Sequence, residues 1–93
     1  MELTTIILQK INQLGYNLLD NWVNDEDNIF TQDYLDNWLQ NNTGSRIDIY
    51  LETDSQTILL FDGTAWSNPS DDELEYKNHY FTFQDLEIYI HIN

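Results

Sequence analysis

The change from a helical to a strand pattern falls at Arg46-Ile47-Asp48-Ile49-Tyr50-Leu51-Glu52. Ile47, Ile49 and Leu51 alternate there with the other residues, and a period of two is typical of a strand with one buried face. The chain before this stretch follows a helical period, and the chain after it is divided into short strands by turn residues. We therefore expect an α+β fold, with helices first and a sheet second.

The N-terminal region carries apolar residues at steps of three or four. They are Leu3, Ile7, Ile11, Leu14, Leu18 and Trp22. This spacing is typical of a helix that packs on one side. Gly15 interrupts the pattern and costs about 1 kcal/mol relative to Ala inside a helix. Two interpretations remain open, and we favour the first: one helix from about Leu3 to Val23, or two helices divided at Gly15, the second starting at Asn17.

A short phrase occurs twice, as Leu19-Asp20-Asn21-Trp22-Val23 and Leu35-Asp36-Asn37-Trp38-Leu39. Thr31 can cap a helix that contains the second copy, and Asp33 then lies in its first turn. The copies are sixteen residues apart, which on one straight helix is a rotation of about 160°. A break at Asn24–Asn28 would let both tryptophans face one core, so we expect a helical hairpin.

Two strands and a loop are expected between Glu52 and the last strand pair. Thr57–Phe61 is apolar on both faces, which predicts a central strand. Asp62-Gly63 is a two-residue turn signal that leads into Thr64–Trp66. Ser67–Tyr76 is predicted to be a loop, and the capping-box spacing of Ser70 and Glu73 favours a short helical turn within it.

The last two strands can be paired from their sequences. His79–Phe83 and Leu86–Ile92 pair so that Phe83 meets Leu86, Phe81 meets Ile88 and Tyr80 meets Tyr89. The predicted architecture is a single compact acidic domain over residues 1–93. In it, two N-terminal helices form a helical hairpin on one face of a small three- to four-stranded antiparallel β-meander.

The charge is the strongest indication of function. Seventeen Asp and Glu face Lys10, Arg46 and Lys77, which gives −14. A halophile surface would carry fewer bulky apolar residues, and AT-rich coding would raise the lysine content, so neither explains this composition. A surface that binds a basic partner does. Direct binding to nucleic acid is disfavoured, because that affinity rests on Lys and Arg at phosphates.

The sequence offers little for catalysis or metal binding. There is no cysteine, and no catalytic or phosphate-binding motif is present. Asn24–Asn28 fails the calcium-loop pattern at its ligand positions, which leaves only weak nonspecific cation association. His79 and His91 are expected on opposite sheet faces. We expect no enzyme activity, no cofactor, no metal and no membrane contact. The absence of an N-terminal signal favours a cytoplasmic location, which is the cytoplasm of a bacterial host if the chain is phage-encoded.

Residues three or four apart on a helix have Cβ atoms about 5–6 Å apart. Asp33 with Asp36, and Asp20 with the acids beyond it, are therefore expected to offer negative charge at roughly the density of phosphates along one DNA strand. We therefore expect an acidic partner-binding surface formed by Asp20, Asp25, Glu26, Asp27, Asp33, Asp36, Asp71, Asp72, Glu73 and Glu75. Tyrosines and a tryptophan could contribute to it or pack across strands: Tyr50, Tyr80, Tyr89 and Trp66. In size and charge the chain is similar to small acidic phage inhibitors, including anti-CRISPR proteins.

From the spacing and amount of negative charge we expect a nucleic-acid mimic that blocks a basic DNA- or RNA-binding enzyme, such as a restriction or CRISPR effector. The alternatives are an immunity protein or antitoxin that neutralises a cationic toxin, and an acidic interaction domain without mimicry. Steered association would favour either inhibitor, since complementary potentials raise association rates. The oligomeric state is left open by the sequence.

Overall fold

The computed structural model describes residues 2–42, 44–63 and 76–93. The described elements are α1 (Leu3–Gln13), α2 (Gln32–Asn41), β1 (Arg46–Glu52), β2 (Thr57–Asp62), β3 (Lys77–Phe83) and β4 (Leu86–Ile92). The strands form one mixed sheet in the order β2-β1-β4-β3. The two central strands, β1 and β4, are parallel, and each pairs antiparallel with its outer neighbour.

The predicted antiparallel meander is therefore wrong. A meander would place β3 beside β2, whereas β1 pairs in parallel with β4, from Arg46 opposite Glu87 to Leu51 opposite Ile92. The chain thus crosses from one edge of the sheet to the other between β2 and β3. A period of two indicates which face a residue occupies but not which strand lies beside it.

The predicted central position of β2 is also wrong, since β2 is an edge strand. Its residues are apolar on both faces because the face opposite the helices is packed as well. On that face the rings of Phe61 and Tyr50 meet edge to face, with centroids 5.5 Å apart. An apolar strand of this kind looks central in sequence although only one side of its backbone is fully paired.

The favoured single helix from Leu3 to Val23 is not formed, because α1 ends at Gln13. Gly15 adopts a φ of 103°, a conformation that side-chain-bearing residues rarely adopt. The amide of Gly15 donates to Asn12 O (3.0 Å) and that of Tyr16 to Ile11 O (3.2 Å). These two bonds form a Schellman motif, which satisfies the last carbonyls of the helix. No second α-helix starts at Asn17.

The predicted helical hairpin is wrong for the same reason. Residues 14–31 between the helices are irregular, apart from isolated bridges at Val23. The two copies of the repeated phrase consequently differ in structure. In the first copy Asn21 ends a turn with a φ of 68°, and Trp22 is buried directly after it. In the second copy Trp38 is half-buried on α2.

The predicted strand faces, by contrast, are confirmed. The β3–β4 pairing has Phe83 opposite Leu86, Phe81 opposite Ile88 and Tyr80 opposite Tyr89. The cap of α2 is also confirmed, since the Thr31 hydroxyl accepts from the Tyr34 amide (3.1 Å).

The core lies between the sheet and the segments that precede it. It comprises Ile7, Ile11, Leu18, Trp22, Phe30, Leu35, Ile47, Ile49, Leu51, Ile58, Ile88, Ile90 and Ile92. Trp22 and Phe30 show that the irregular segment contributes to this core as the helices do.

Neither described helix has the length and apolar character needed to cross a membrane.

Candidate functional site

Three exposed acids lie together on a short turn between the helices. We call Asp25, Glu26 and Asp27 the acidic turn; all three are exposed. Beneath them the Asn24 side chain is 4% exposed. Its Oδ1 accepts from the amides of Glu26 (2.9 Å) and Asn28 (3.2 Å). A single buried amide side chain therefore organises the backbone that carries the three carboxylates.

Further backbone bonds close the base of this turn. The Asn24 amide donates to Asn28 O (2.8 Å), and the Phe30 amide donates to Trp22 O (2.8 Å). Trp22 and Phe30 are 4% and 2% exposed and belong to the core. The acidic turn is thus the tip of a small antiparallel loop whose base is anchored in the protein interior. Its carboxylates are held outward on a fixed backbone.

The acidic turn lies beside the first turn of α2. Burial, together with the negative charges of Asp25 and Glu26, raises the pKa of the Tyr34 hydroxyl. An influence of this kind requires the charges to be near Tyr34, since Coulombic effects fall with distance. Asp33, the residue before Tyr34, is exposed. Two carboxylates of the acidic turn therefore act on a side chain in the first turn of α2, next to the exposed Asp33.

The remaining predicted surface residues are placed differently. Asp20 is exposed in the turn that precedes Trp22. Asp36 is half-buried and accepts a hydrogen bond from the Thr4 hydroxyl of α1, so its carboxylate joins the two helices. The second predicted acidic cluster lies outside the described residues and comprises Asp71, Asp72, Glu73 and Glu75. The predicted strand at 64–66 and the predicted helical turn in the following loop also lie outside them.

A second polar arrangement lies on the sheet face opposite the helices. Asp48 on β1 has no solvent exposure. Arg46 donates to it through Nε (to Oδ2, 3.0 Å) and through a terminal guanidinium nitrogen (to Oδ1, 3.0 Å). His91 Nε2 donates to Asp48 Oδ1 (2.9 Å), and His91 Nδ1 lies 2.6 Å from the Asn78 side-chain oxygen. The cluster therefore connects strands β1, β4 and β3.

Aromatic rings enclose this cluster. The Tyr50 and His91 rings are stacked, with centroids 4.2 Å apart. The Arg46 guanidinium lies 4.1 Å from the centre of the Tyr89 ring, a distance at which a cation is attracted to the ring face. Burial alone would raise the pKa of Asp48, but hydrogen bonds from His91 and Arg46 outweigh it and hold the pKa below its usual value.

This cluster supplies a satisfied ion-pair network and not an exposed reactive group. Asp48 and His91 are both buried, and each polar atom of the His91 ring already has a neighbour. Within the described ranges, no group of three or more acids or histidines is arranged to hold a metal ion. The cluster therefore joins three strands of the sheet inside the protein, whereas the acidic turn carries three consecutive charges that a partner can reach.

The Asp48–His91 pair was missed by the sequence analysis. The alternation in β1 and β4 already placed both residues on the face opposite the helices. Their adjacency depends on the parallel pairing of these strands, and the predicted meander kept β1 and β4 apart. In the sequence, Asp48 alternates with isoleucines as a solvent-facing residue of a half-buried strand does, so no local signal marked it as buried.

Comparison with protein families, with curated proteins and with solved structures finds no match to this chain. The functional conclusion therefore rests on the charge and geometry of the chain itself.

Proposed function

We propose that this protein is a small acidic inhibitor that binds a basic protein at the surface where that protein binds nucleic acid. The observation that carries the proposal is the acidic turn, in which Asn24 is buried and holds three consecutive exposed acids on a fixed backbone. Side chains that merely keep a protein soluble do not require such a support. A binding surface benefits from it, because ordering before binding lowers the entropic cost of association.

The spacing of the charges supports mimicry of a phosphate backbone. Asp25, Glu26 and Asp27 place three exposed negative charges on three consecutive residues, and a DNA strand likewise carries one negative charge per nucleotide. Asp33 extends the negative surface along the start of α2.

The overall charge supports the same proposal. The chain carries −14, and Arg46 is already engaged by Asp48. A field of this strength steers association with a basic surface and repels free nucleic acid. We propose that the partner is a basic nucleic-acid-binding enzyme, of which restriction and CRISPR effectors are examples.

The test is an affinity capture from bacterial lysate at low salt, followed by binding measurements with the purified captured protein. The test variant is Asp25→Asn, Glu26→Gln, Asp27→Asn. A matched control, Glu2→Gln, Asp54→Asn, Asp85→Asn, removes the same charge from exposed positions elsewhere. If each exposed charge contributes about 0.5–1 kcal/mol, the test variant should bind about 10- to 100-fold more weakly.

The control variant should retain nearly all of the affinity. Equal weakening of both variants would show that only net charge matters and that the acidic turn is not the binding surface. A captured partner that does not bind nucleic acid would contradict mimicry; a cationic toxin would instead identify an immunity protein or antitoxin. Affinity that ignores both salt and added duplex DNA would refute the proposal.

A further inference from the structure

Strand β3 forms one edge of the sheet. Along one side it pairs with β4 over its whole length, from Lys77 opposite Ile92 to Phe83 opposite Leu86. In the part of the chain that the structure describes, no strand, bridge or backbone hydrogen bond lies along the other side. An edge strand directs alternate N–H and C=O groups outward, where they can pair with another strand.

The two edges of the sheet differ in how they are protected. At the β2 edge, Val23 donates to Gln56 O (2.9 Å) and accepts from the Ile58 amide (2.8 Å), so part of that edge is covered. β3 has no proline, and its register with β4 continues over seven pairs without a bulge. A proline or a bulge would hinder edge-to-edge pairing; β3 has neither, and its charged residue Lys77 stands at the end of the strand.

The charge of β3 also differs from that of the rest of the molecule. Of the four described strands, β3 alone contains no Asp or Glu, and it carries Lys77. Two copies of a chain with −14 repel each other. That repulsion is weakest where the contacting elements carry no acid, so β3 is the strand on which a second copy meets the least local opposition.

We propose that β3 pairs antiparallel with β3 of a second copy, so that one continuous sheet crosses a two-fold dimer. Full overlap of a strand running from Lys77 to Phe83 places the two-fold axis at its middle residue, Tyr80. The Tyr80 side chain is 54% exposed, and in this dimer it packs against Tyr80 of the second copy. Burial of aromatic area across the axis supplies a favourable contribution beyond the backbone hydrogen bonds.

In the same register Lys77 lies directly opposite Phe83 of the second copy, and the two-fold symmetry forms this pair twice.

Salt separates the dimer from the proposed inhibitory function. Added salt screens the long-range repulsion between two acidic copies, so the dimer should strengthen as salt increases. Binding of a basic partner to the acidic turn should weaken under the same change. Dimerisation can therefore fail its test while binding of the basic partner passes, and the reverse also holds.

The first test places a charge at the two-fold axis. Any charge at position 80 meets its own copy, so Tyr80→Lys and Tyr80→Glu should each weaken the dimer at least tenfold in sedimentation equilibrium. A mixture of the two variants should restore it, because unlike charges then meet. A dimer that persists in both variants, or a mixture that remains monomeric while both variants keep the native circular dichroism, would overturn the proposal.

The second test uses the absence of cysteine from the chain. Residues directly opposite in antiparallel strands have Cα atoms about 4.5–5.5 Å apart, within the range that a disulfide spans. Tyr80→Cys should form a covalent dimer on mild oxidation. Thr82→Cys is the matched control and should form none, because Thr82 lies opposite Asn78 of the second copy. Equal cross-linking at both positions would overturn the register.

The unsubstituted protein provides a test that does not depend on how the variants fold. Its mean mass should rise from monomer to dimer with concentration, and the amide exchange of β3 should slow over the same range. A constant monomer mass with unchanged β3 exchange would overturn the proposal.

Discussion

Replacement of Asp48 by alanine should be among the most destabilising single changes in the described part of the chain. Asp48 is fully buried, and its carboxylate is the acceptor for His91 Nε2 and for two nitrogens of Arg46. A hydrogen bond to a charged group contributes about 1.5–3 kcal/mol. The His91 contact counts in full because it is buried, whereas the Arg46 contacts count for less because that side chain is 39% exposed.

The sum for Asp48→Ala is a loss of about 3–5 kcal/mol in the free energy of unfolding, as found when one partner of a buried pair is removed. For a chain of this size this is a fall of roughly 12–40 °C in Tm, at about 4–8 °C per kcal/mol. Urea unfolding followed by circular dichroism measures the free energy, and a thermal melt measures Tm.

Two comparisons make this prediction specific. Asp48→Asn keeps an acceptor for His91 and loses the pairing with Arg46, so its loss should be about 1–2 kcal/mol. Asp54→Ala removes an exposed acid from a turn and should stay within about 0.5 kcal/mol of the parent. If Asp48→Ala loses no more than Asp54→Ala, the buried cluster does not stabilise the sheet and the reasoning is refuted.

Three further predictions concern stability and are checked by unfolding measurements. Gly15→Ala should lower the free energy of unfolding by about 1 kcal/mol or more, because a side chain is strained at the φ of 103°. The strain comes from the backbone conformation, since nothing lies within 4 Å of the added Cβ. An unchanged stability would contradict the Schellman motif at the end of α1. Thr31→Ala should lower the free energy of unfolding by about 1 kcal/mol, because the α2 cap is lost. Thr31→Asp should keep most of the parent stability, because aspartate can also cap a helix. The pKa of Asp48 is lowered in the folded state. The contribution of its charge to the free energy of unfolding is therefore complete above the unfolded carboxyl pKa of about 3.9, and it is lost as pH falls through the folded pKa. The stability difference between the parent and Asp48→Asn should therefore shrink below about pH 4, and a difference that grows there would contradict the assigned direction.

The parts of the fold that the sequence could predict are those set by local signals. The alternation of Ile47, Ile49 and Leu51 assigned the faces of β1, and the match of apolar rows fixed the β3–β4 register. The Thr31 cap marked the start of α2. In each case the feature depends on residues that are close together in the chain, so the sequence pattern is sufficient to predict it.

The parts that could not be predicted depend on contacts between distant segments. The apolar spacing continues past Gly15, so periodicity alone favoured a longer helix, although the later residues are buried in irregular structure. Trp22 and Trp38 stand in the same phrase, yet the first lies in irregular structure after a turn and the second on a helix. Parallel pairing of β1 with β4 has no local signature, and the Asp48–His91 pair follows only from it.

The candidate surface was predicted in part. Asp25, Glu26 and Asp27 are exposed beside α2, which is where the sequence analysis expected them, but Asn24 was not expected to support them. Asp36 was assigned to the same surface from its helical spacing, and in the structure it accepts from Thr4 on α1. Spacing locates a carboxylate on a helix, whereas the direction of its contact depends on the neighbouring helix.

The most direct test of the proposed function is a competition experiment with the captured partner and a fluorescent duplex DNA. The parent protein should displace the DNA, and displacement should weaken about 10- to 100-fold for the Asp25→Asn, Glu26→Gln, Asp27→Asn variant. The matched control variant should compete like the parent. A ternary complex of partner, DNA and inhibitor, or equal displacement by parent and test variant, would contradict binding through the acidic turn.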